Sequence, residues 1–349
     1  MKRAIWVSNS RQLRAALARN SKRDIVLRPG VYDNAGPFLD ARGNRVYAEV
    51  PGQVVLKAGI VLGGNIGSGG GLVRGISFDV DDRAKTLAGA ILTVWGTGTN
   101  STILDVTLEG HGVIDTGILA RQVEGLLIRR VVVRNFRSYG LLIDTNVRND
   151  VVQRPPLVES VVASNVGWAP PGSSNGTAEA CVWIGNTAVV RQVRVHHCAG
   201  EGVWVGMAAS GALFEDIRVT DAGIGMYFEH FVRSSTFRRL QIGPGVRRGV
   251  TCEWADPAWN SQPACTNIVI EKSWFDTDVV GVYLDAGTTG TTVRTSTFVN
   301  QCWAGIGDFR GINNLYDTAG NDYTRLQPSA VPISNGHYYG SGAGCAMSG

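Results

Sequence analysis

The sequence predicts an all-β solenoid, a parallel β-helix, on two observations: one short unit recurs at a near-constant period, and its pattern is that of strands rather than helix pairs. The unit is a small residue followed by alternating apolar positions ending on an acidic residue or glycine, as in Gly225-Met226-Tyr227-Phe228-Glu229. Further copies start at Gly117, Gly140, Cys181, Gly202, Gly249, Gly281 and Ala304, mostly 21 to 24 residues apart. Longer intervals hold Gly/Pro/Ser-rich insertions. Composition agrees: charged residues are 18% of 349 and glycine fills 45 positions, which suits tightly turned coils and argues against disorder.

The first element in chain order is a short strand at Ile5-Trp6-Val7, followed by a helix that Ser10 is placed to N-cap, with Leu13, Ala16 and Leu17 on one apolar face. Such a helix covers the exposed apolar end that a solenoid otherwise presents. Asp24 to Tyr32 reads as a strand, a Pro29-Gly30 turn and a second strand. Residues 1–44 are therefore read as a cap and first coil, 45–316 as the coils, and 317–349 as a C-terminal tail, all within one structural domain.

Between the Gly-led units lies a second strand pattern rich in β-branched residues, as in Val189 to Val195, Leu213 to Val219 and Ile268 to Phe275. A polar residue follows each: Asn135, Asn165, His197, Asp221, Asp276 and Asn300. Stacked turn residues of these types can hydrogen-bond from coil to coil.

Charge and cysteine content narrow the classes. The net charge of +4 is small and its arginine pairs are scattered, which disfavours nucleic-acid binding. No stretch approaches a membrane span, and Met1-Lys2-Arg3 is followed by polar residues instead of an apolar run, so no signal peptide is expected in the chain as given. The six cysteines lack the spacing of a zinc site. Cys252 and Cys265 flank a loop and are candidates for a local disulfide, whereas Cys181, Cys198 and Cys302 read as small core residues.

The capping helix, the Ile25-Val26-Leu27-Arg28-Pro29-Gly30-Val31-Tyr32 segment and about nine or ten coils with Gly-led strands and Asn/Asp turns resemble the pectate-lyase-like superfamily. The resemblance implies a single-stranded, right-handed parallel β-helix. It also implies polysaccharide-directed chemistry or binding, since that superfamily includes lyases, hydrolases, epimerases, tailspikes and adhesins. The implied place for chemistry is the outer face of the Gly-led strand. The Asn-Thr-Asp, Asp-Asp and Arg-Ile-Lys motifs of polygalacturonases are not found in their expected arrangement, and Gly110-His111-Gly112 lies in a turn.

Side chains alternate along a strand, so the second and fourth positions of each Gly-led unit should enter the core and the third and fifth face out. The third column includes Trp183, Trp204, Tyr227, Thr251 and Tyr283; the fifth includes Asp144, Glu229, Glu253, Asp285 and Asp308. Neighbouring coils about 4.8 Å apart would make Glu229, Glu253, Asp285 and Asp308 a ladder of carboxylates. Like charges at that distance call for a cation or a retained proton.

The leading expectation is a glycoside hydrolase acting on a polysaccharide. Glu229 and Asp285 are the best acid and base pair, with Glu253 between them tuning the pair or belonging to it. Trp183, Trp204, Tyr227 and Tyr283 would be sugar platforms, Asp308 and Asp144 would meet hydroxyls, and His230 would stand behind Glu229. Gly185 and Gly206 would free space over the indoles, and the insertions at 146–156, 168–179 and 254–266 would wall the groove. Hydrolysis needs no cofactor. A lyase or epimerase acting on uronates is the alternative and would require calcium on the ladder; a non-catalytic glycan-binding or tailspike-like protein is the third. A monomer or trimer in an extracellular or cell-surface setting is expected. Stacked aromatics can instead pack beneath the insertions, and stacked acids can be a solvated face.

Overall fold

The computed structural model describes all residues except 1–3, 19–21, 34–36, 42, 64–69, 96–99, 145–153, 168–179, 186, 207–208, 230, 254–264, 286, 310–312, 317–319, 336–344 and 346–349. Two compact units are distinguished, residues 1–182 and 183–349. In each, successive coils contribute three parallel strand segments that pair in register with those of the next coil.

The first unit opens with the strand Ile5–Val7, paired to Asp24–Leu27, and with the helix Ser10–Ala18, which buries Leu13, Ala16 and Leu17. Its N-cap is Asn9, not Ser10: Asn9 Oδ1 accepts the Gln12 backbone N–H at 3.0 Å while Gln12 Oε1 accepts the Ser8 N–H at 2.8 Å. A side chain one residue further back reaches the third amide of the helix, so the cap moves with it. Parallel pairing then carries Gly-led strands upward through Ala90–Trp95, Thr116–Arg121 and Tyr139–Asp144.

In the second unit the coils are formed by the long strands Val189–Gly206, Leu213–Phe228, Gln241–Cys252 and Trp274–Leu284, then Ala304–Asp308. Phe214 stacks on Phe237 with centroids 5.1 Å apart, and Phe275 on Phe298 at 5.2 Å, so aromatic rings fill the interior coil by coil. Asp322–Arg325 and Val331–Ser334, read from sequence as part of the tail, pair with Thr297–Val299 and Ala304–Asp308 and add a further coil.

Coil corners are marked by non-glycine residues in the left-handed region: Asn135, Asn165, His197, Asp221 and Asn300 all have positive φ. Asn and Asp tolerate that conformation, and their side chains tie adjoining coils. Asn165 donates to Asn135 at 3.0 Å, His197 meets Asp221 at 2.6 Å and Asn300 donates to Asp276 at 2.7 Å.

All six cysteines are disulfide-bonded, so the reading of Cys181, Cys198 and Cys302 as plain core residues is overturned. Cys252–Cys265 is formed as anticipated, with Cα atoms 6.3 Å apart. Cys302 is joined to Cys345, a partner 43 residues away that sequence spacing did not suggest.

Candidate functional site

The Gly-led strand owes its leading glycine to crowding. A Cβ on Gly249 would stand 2.1 Å from the Gly281 carbonyl oxygen, and one on Gly225 would stand 2.7 Å from that of Gly249. Each coil therefore seats its glycine against the next coil's backbone, which holds the following residues in a common register. Met226, Val250 and Val282 pair in line and are buried, as are Phe228, Cys252 and Leu284. The alternation expected of the unit holds at these positions.

Glu229, Glu253 and Asp285 follow directly on the aligned residues Phe228, Cys252 and Leu284. Backbone pairing continues one residue further: Glu229 N–H donates to Val205 O and Asp285 N–H to Cys252 O, both at 2.9 Å. The three carboxylates thus leave adjoining coils from equivalent positions, half-buried, at a spacing set by the sheet, about 4.8 Å per coil. Trp204 Nε1 donates to Glu229 Oε2 at 3.1 Å, and Arg248 Nη1 meets Glu253 Oε2 at 3.2 Å. Tyr227 lies among these groups, its ring edge-on to Trp204 with centroids 5.4 Å apart. Burial pushes its phenol up, and the charges of Glu253, Glu229 and Glu201 add to that while Arg248 opposes it. Tyr227 therefore remains a protonated hydroxyl amid carboxylates.

Several expected members are placed elsewhere. Asp308 leaves the ladder because the last Gly-led unit begins at Gly305, not Ala304: Tyr283 aligns with Gly307 and Leu284 with Asp308. The one-residue shift turns Asp308 to the buried side, 8% exposed, where it accepts hydrogen bonds from Asn314 and Tyr316. Tyr283 is 2% exposed and packs near Trp303 within a cluster that includes Val279, Val280 and Cys345, so it is no exposed sugar platform. Thr251 between Tyr227 and Tyr283 is fully buried, and among the described residues of this column the partly exposed aromatics are Trp183, Trp204 and Tyr227. Gly206 makes room for protein, not ligand: a Cβ there would meet Trp183 Cζ2 at 2.5 Å. Asp144 ends a strand of the first unit in register with Arg121. His230 lies outside the described residues, as do most of the three insertions expected to form walls.

Comparison with known proteins agrees with the coil geometry. The family described as a right-handed β-helix region matches residues 116–324, more than half of the chain. The chain belongs to this right-handed β-helix family. Among solved structures, the A-module of a mannuronan C-5 epimerase from Azotobacter vinelandii is similar at a TM-score of 0.68 and 16% identity, over 96% of this chain and 98% of that one. The catalytic domain of an α-1,3-glucanase in complex with tetrasaccharides is similar at 0.60 and 11%, over 96% and 69%. A surface adhesin of Streptococcus pneumoniae is similar at 0.53 and 10%, over 93% and 89%. These likenesses show the fold. No curated protein matches in sequence.

Two members of this β-helix site were missed in the sequence, Arg248 and Glu201. Both immediately precede a leading glycine and sit in one column, Glu201, Ile224, Arg248 and Val280, aligned across the coils. Reading that column would have exposed them; strand alternation did not, because the backbone bulges there, between Cys198 and Glu201 and between Val246 and Arg248. Among the described residues no three His, Cys, Asp or Glu side chains converge to hold a metal ion. Nor, among the described residues, is any helix long and apolar enough to cross a membrane.

Proposed function

We propose that this β-helix is a polysaccharide-degrading enzyme, a glycoside hydrolase working on the outer face of its Gly-led strands. The observation that supports this reading is a row of three carboxylates, Glu229, Glu253 and Asp285, following in-register strand ends beside Trp204 and Tyr227. Elsewhere in the same unit, an outward column alternates in sign from Arg191 through Glu215, Arg238 and Glu271 to Arg294, coil by coil. Purely structural charge is arranged that way because like charges directly opposite destabilise a sheet. The same-sign row departs from that arrangement where aromatic rings are also at hand.

In the mechanism, one of Glu229 and Asp285 protonates the glycosidic oxygen while the other, as carboxylate, activates water at the anomeric carbon. Two coil steps separate them, about 9.6 Å at the backbone, the upper edge of the separation used for inverting hydrolysis. Glu253, paired with Arg248, lies between them and orders the row. Trp204 binds Glu229 through its indole N–H and, with Trp183, offers apolar ring surface to a sugar. The mannuronan epimerase and the glucanase among the structural neighbours support a polysaccharide as substrate. Disulfide bonding of every cysteine supports an oxidising, extracellular or cell-surface setting.

Arg248 favours one second reading, an epimerase or lyase, because that chemistry needs positive charge near the carboxylate of a uronate. The protein is to be incubated with neutral and uronic polysaccharides, and products scored for reducing ends, unsaturated uronates and C-5 inversion. Hydrolysis predicts reducing ends alone. Glu229→Gln and Asp285→Asn should each lower turnover by about 10²- to 10⁴-fold with substrate binding retained. Full activity in both variants, or glycan binding without turnover in the native protein, would remove this active site.

A further inference from the structure

Within the second unit the three strand segments of each coil present three different exteriors: the sign-alternating column of ion pairs, the row of acids and rings, and a third. On the third, the outward column reads Arg194, Arg218, Gln241 and Trp274 in direct register, and all four side chains are exposed. Arg194 and Arg218 leave adjoining coils about 4.8 Å apart, and neither has an acidic partner among the described residues. Lys272, two residues before Trp274, is likewise exposed and unpaired among them. The Arg325 guanidinium lies 5.2 Å from the Trp274 ring centroid.

Asp216 is bound by Arg239, Asp221 by His197, and Asp276 accepts from Asn300. Two arginines stacked in register repel each other, whereas the neighbouring column shows how this sheet places charge when no ligand is involved. The unrelieved cations ask for an anion that comes from outside the chain.

We propose that Arg194, Arg218, Gln241 and Trp274 form a second, non-catalytic binding track for a carboxylated polysaccharide. The column runs along the coil stack, so a linear polymer can lie on it with successive carboxylates meeting Arg194, Arg218 and Lys272. Gln241 offers amide hydrogen bonds to hydroxyls, and the indole of Trp274 offers an apolar face to a sugar ring. A polysaccharide is favoured over nucleic acid because the net charge of the chain is only +4. The choice of sugar polymer rests on the proposed function; the need for a polyanion does not.

Affinity electrophoresis in gels containing polygalacturonate, neutral dextran or single-stranded DNA, at low and at physiological salt, tests the track. Binding is measured in a Glu229→Gln background and turnover in the otherwise native chain. Polygalacturonate should retard the protein in a salt-sensitive way, and dextran should not. Arg194→Ala with Arg218→Ala should weaken binding about three- to tenfold and flatten its salt dependence. Trp274→Ala should weaken binding without changing that salt slope. Turnover of short oligosaccharides should be unaltered by all three substitutions. Unchanged retardation in the double arginine variant, or tighter binding of the DNA, would overturn the proposal. A chain that degrades no polysaccharide, yet loses polygalacturonate binding in the double variant, would keep the track and reject the hydrolase.

Discussion

Arg248 meets the acidic row at Glu253, from a position outside the repeated motif. Its Nη1 is 3.2 Å from Glu253 Oε2, and its charge also bears on Tyr227. In the proposed hydrolase, Arg248 is assigned a positioning role, holding the middle carboxylate of three. Replacing it with Met should lower kcat by about 10²-fold with little change in KM or in the thermal melting curve, and Lys should restore part of the loss. A fall in melting temperature matching the loss of activity, with no rescue by Lys, would mark Arg248 as structural. Asp308 teaches the converse lesson. It fits the motif by spacing but not by register, because Ala304 imitates the small leading residue that Gly305 supplies. A Cβ at Gly305 would meet the Tyr323 ring at 2.7 Å, and only the packed coil reveals that requirement.

At the scale of one coil, the ion-pair column links stability to pH. Hydrogen bonds from Arg238 and Arg239 hold the Glu215 and Asp216 carboxyls below the usual range, and Arg130 does the same for Asp105 in the first unit. A carboxyl with a lower pKa in the folded chain adds stability that is complete above its unfolded value, near pH 4, and lost as pH falls through the folded value. The urea midpoint should therefore be level from pH 7 to about pH 5 and decline below about pH 4. Arg239→Met should shrink that decline. A midpoint that rises on acidification would contradict this account. The corners were more legible: Asn135, Asn165, His197, Asp221 and Asn300 stood out because polar residues willing to take positive φ recur at a fixed place in the coil. Asp276 accepts from Asn300 in the same stack although its own φ is not positive.

At the scale of the chain, a disulfide fixes a cysteine that lies outside the strand repeat. Cys302–Cys345 spans 43 residues and brings Cys345 against the cluster of Tyr283, Val279 and Val280. Replacing both cysteines with serine should cost about 2–4 kcal/mol of stability in denaturant titrations and raise the accessibility of Tyr283 to chemical modification. An unchanged midpoint with Tyr283 still protected would show that packing alone holds this end. That contact also accounts for the failure of Tyr283 as an exposed ring. The strand directs its side chain outward, but outward on this coil leads against Trp303 and Cys345.

Coil period, strand character, the capping helix and the common placement of Glu229, Glu253 and Asp285 were determined by the sequence alone. Each depends on local alternation and on a repeat that stacking converts directly into adjacency. Tertiary structure alone decided which ring is covered, which acid turns inward, and which residue ahead of a glycine reaches the site. These depend on register at the ends of the repeat, on bulges and on distant cysteine pairing, where a single residue of slip exchanges the inside of the sheet for the outside.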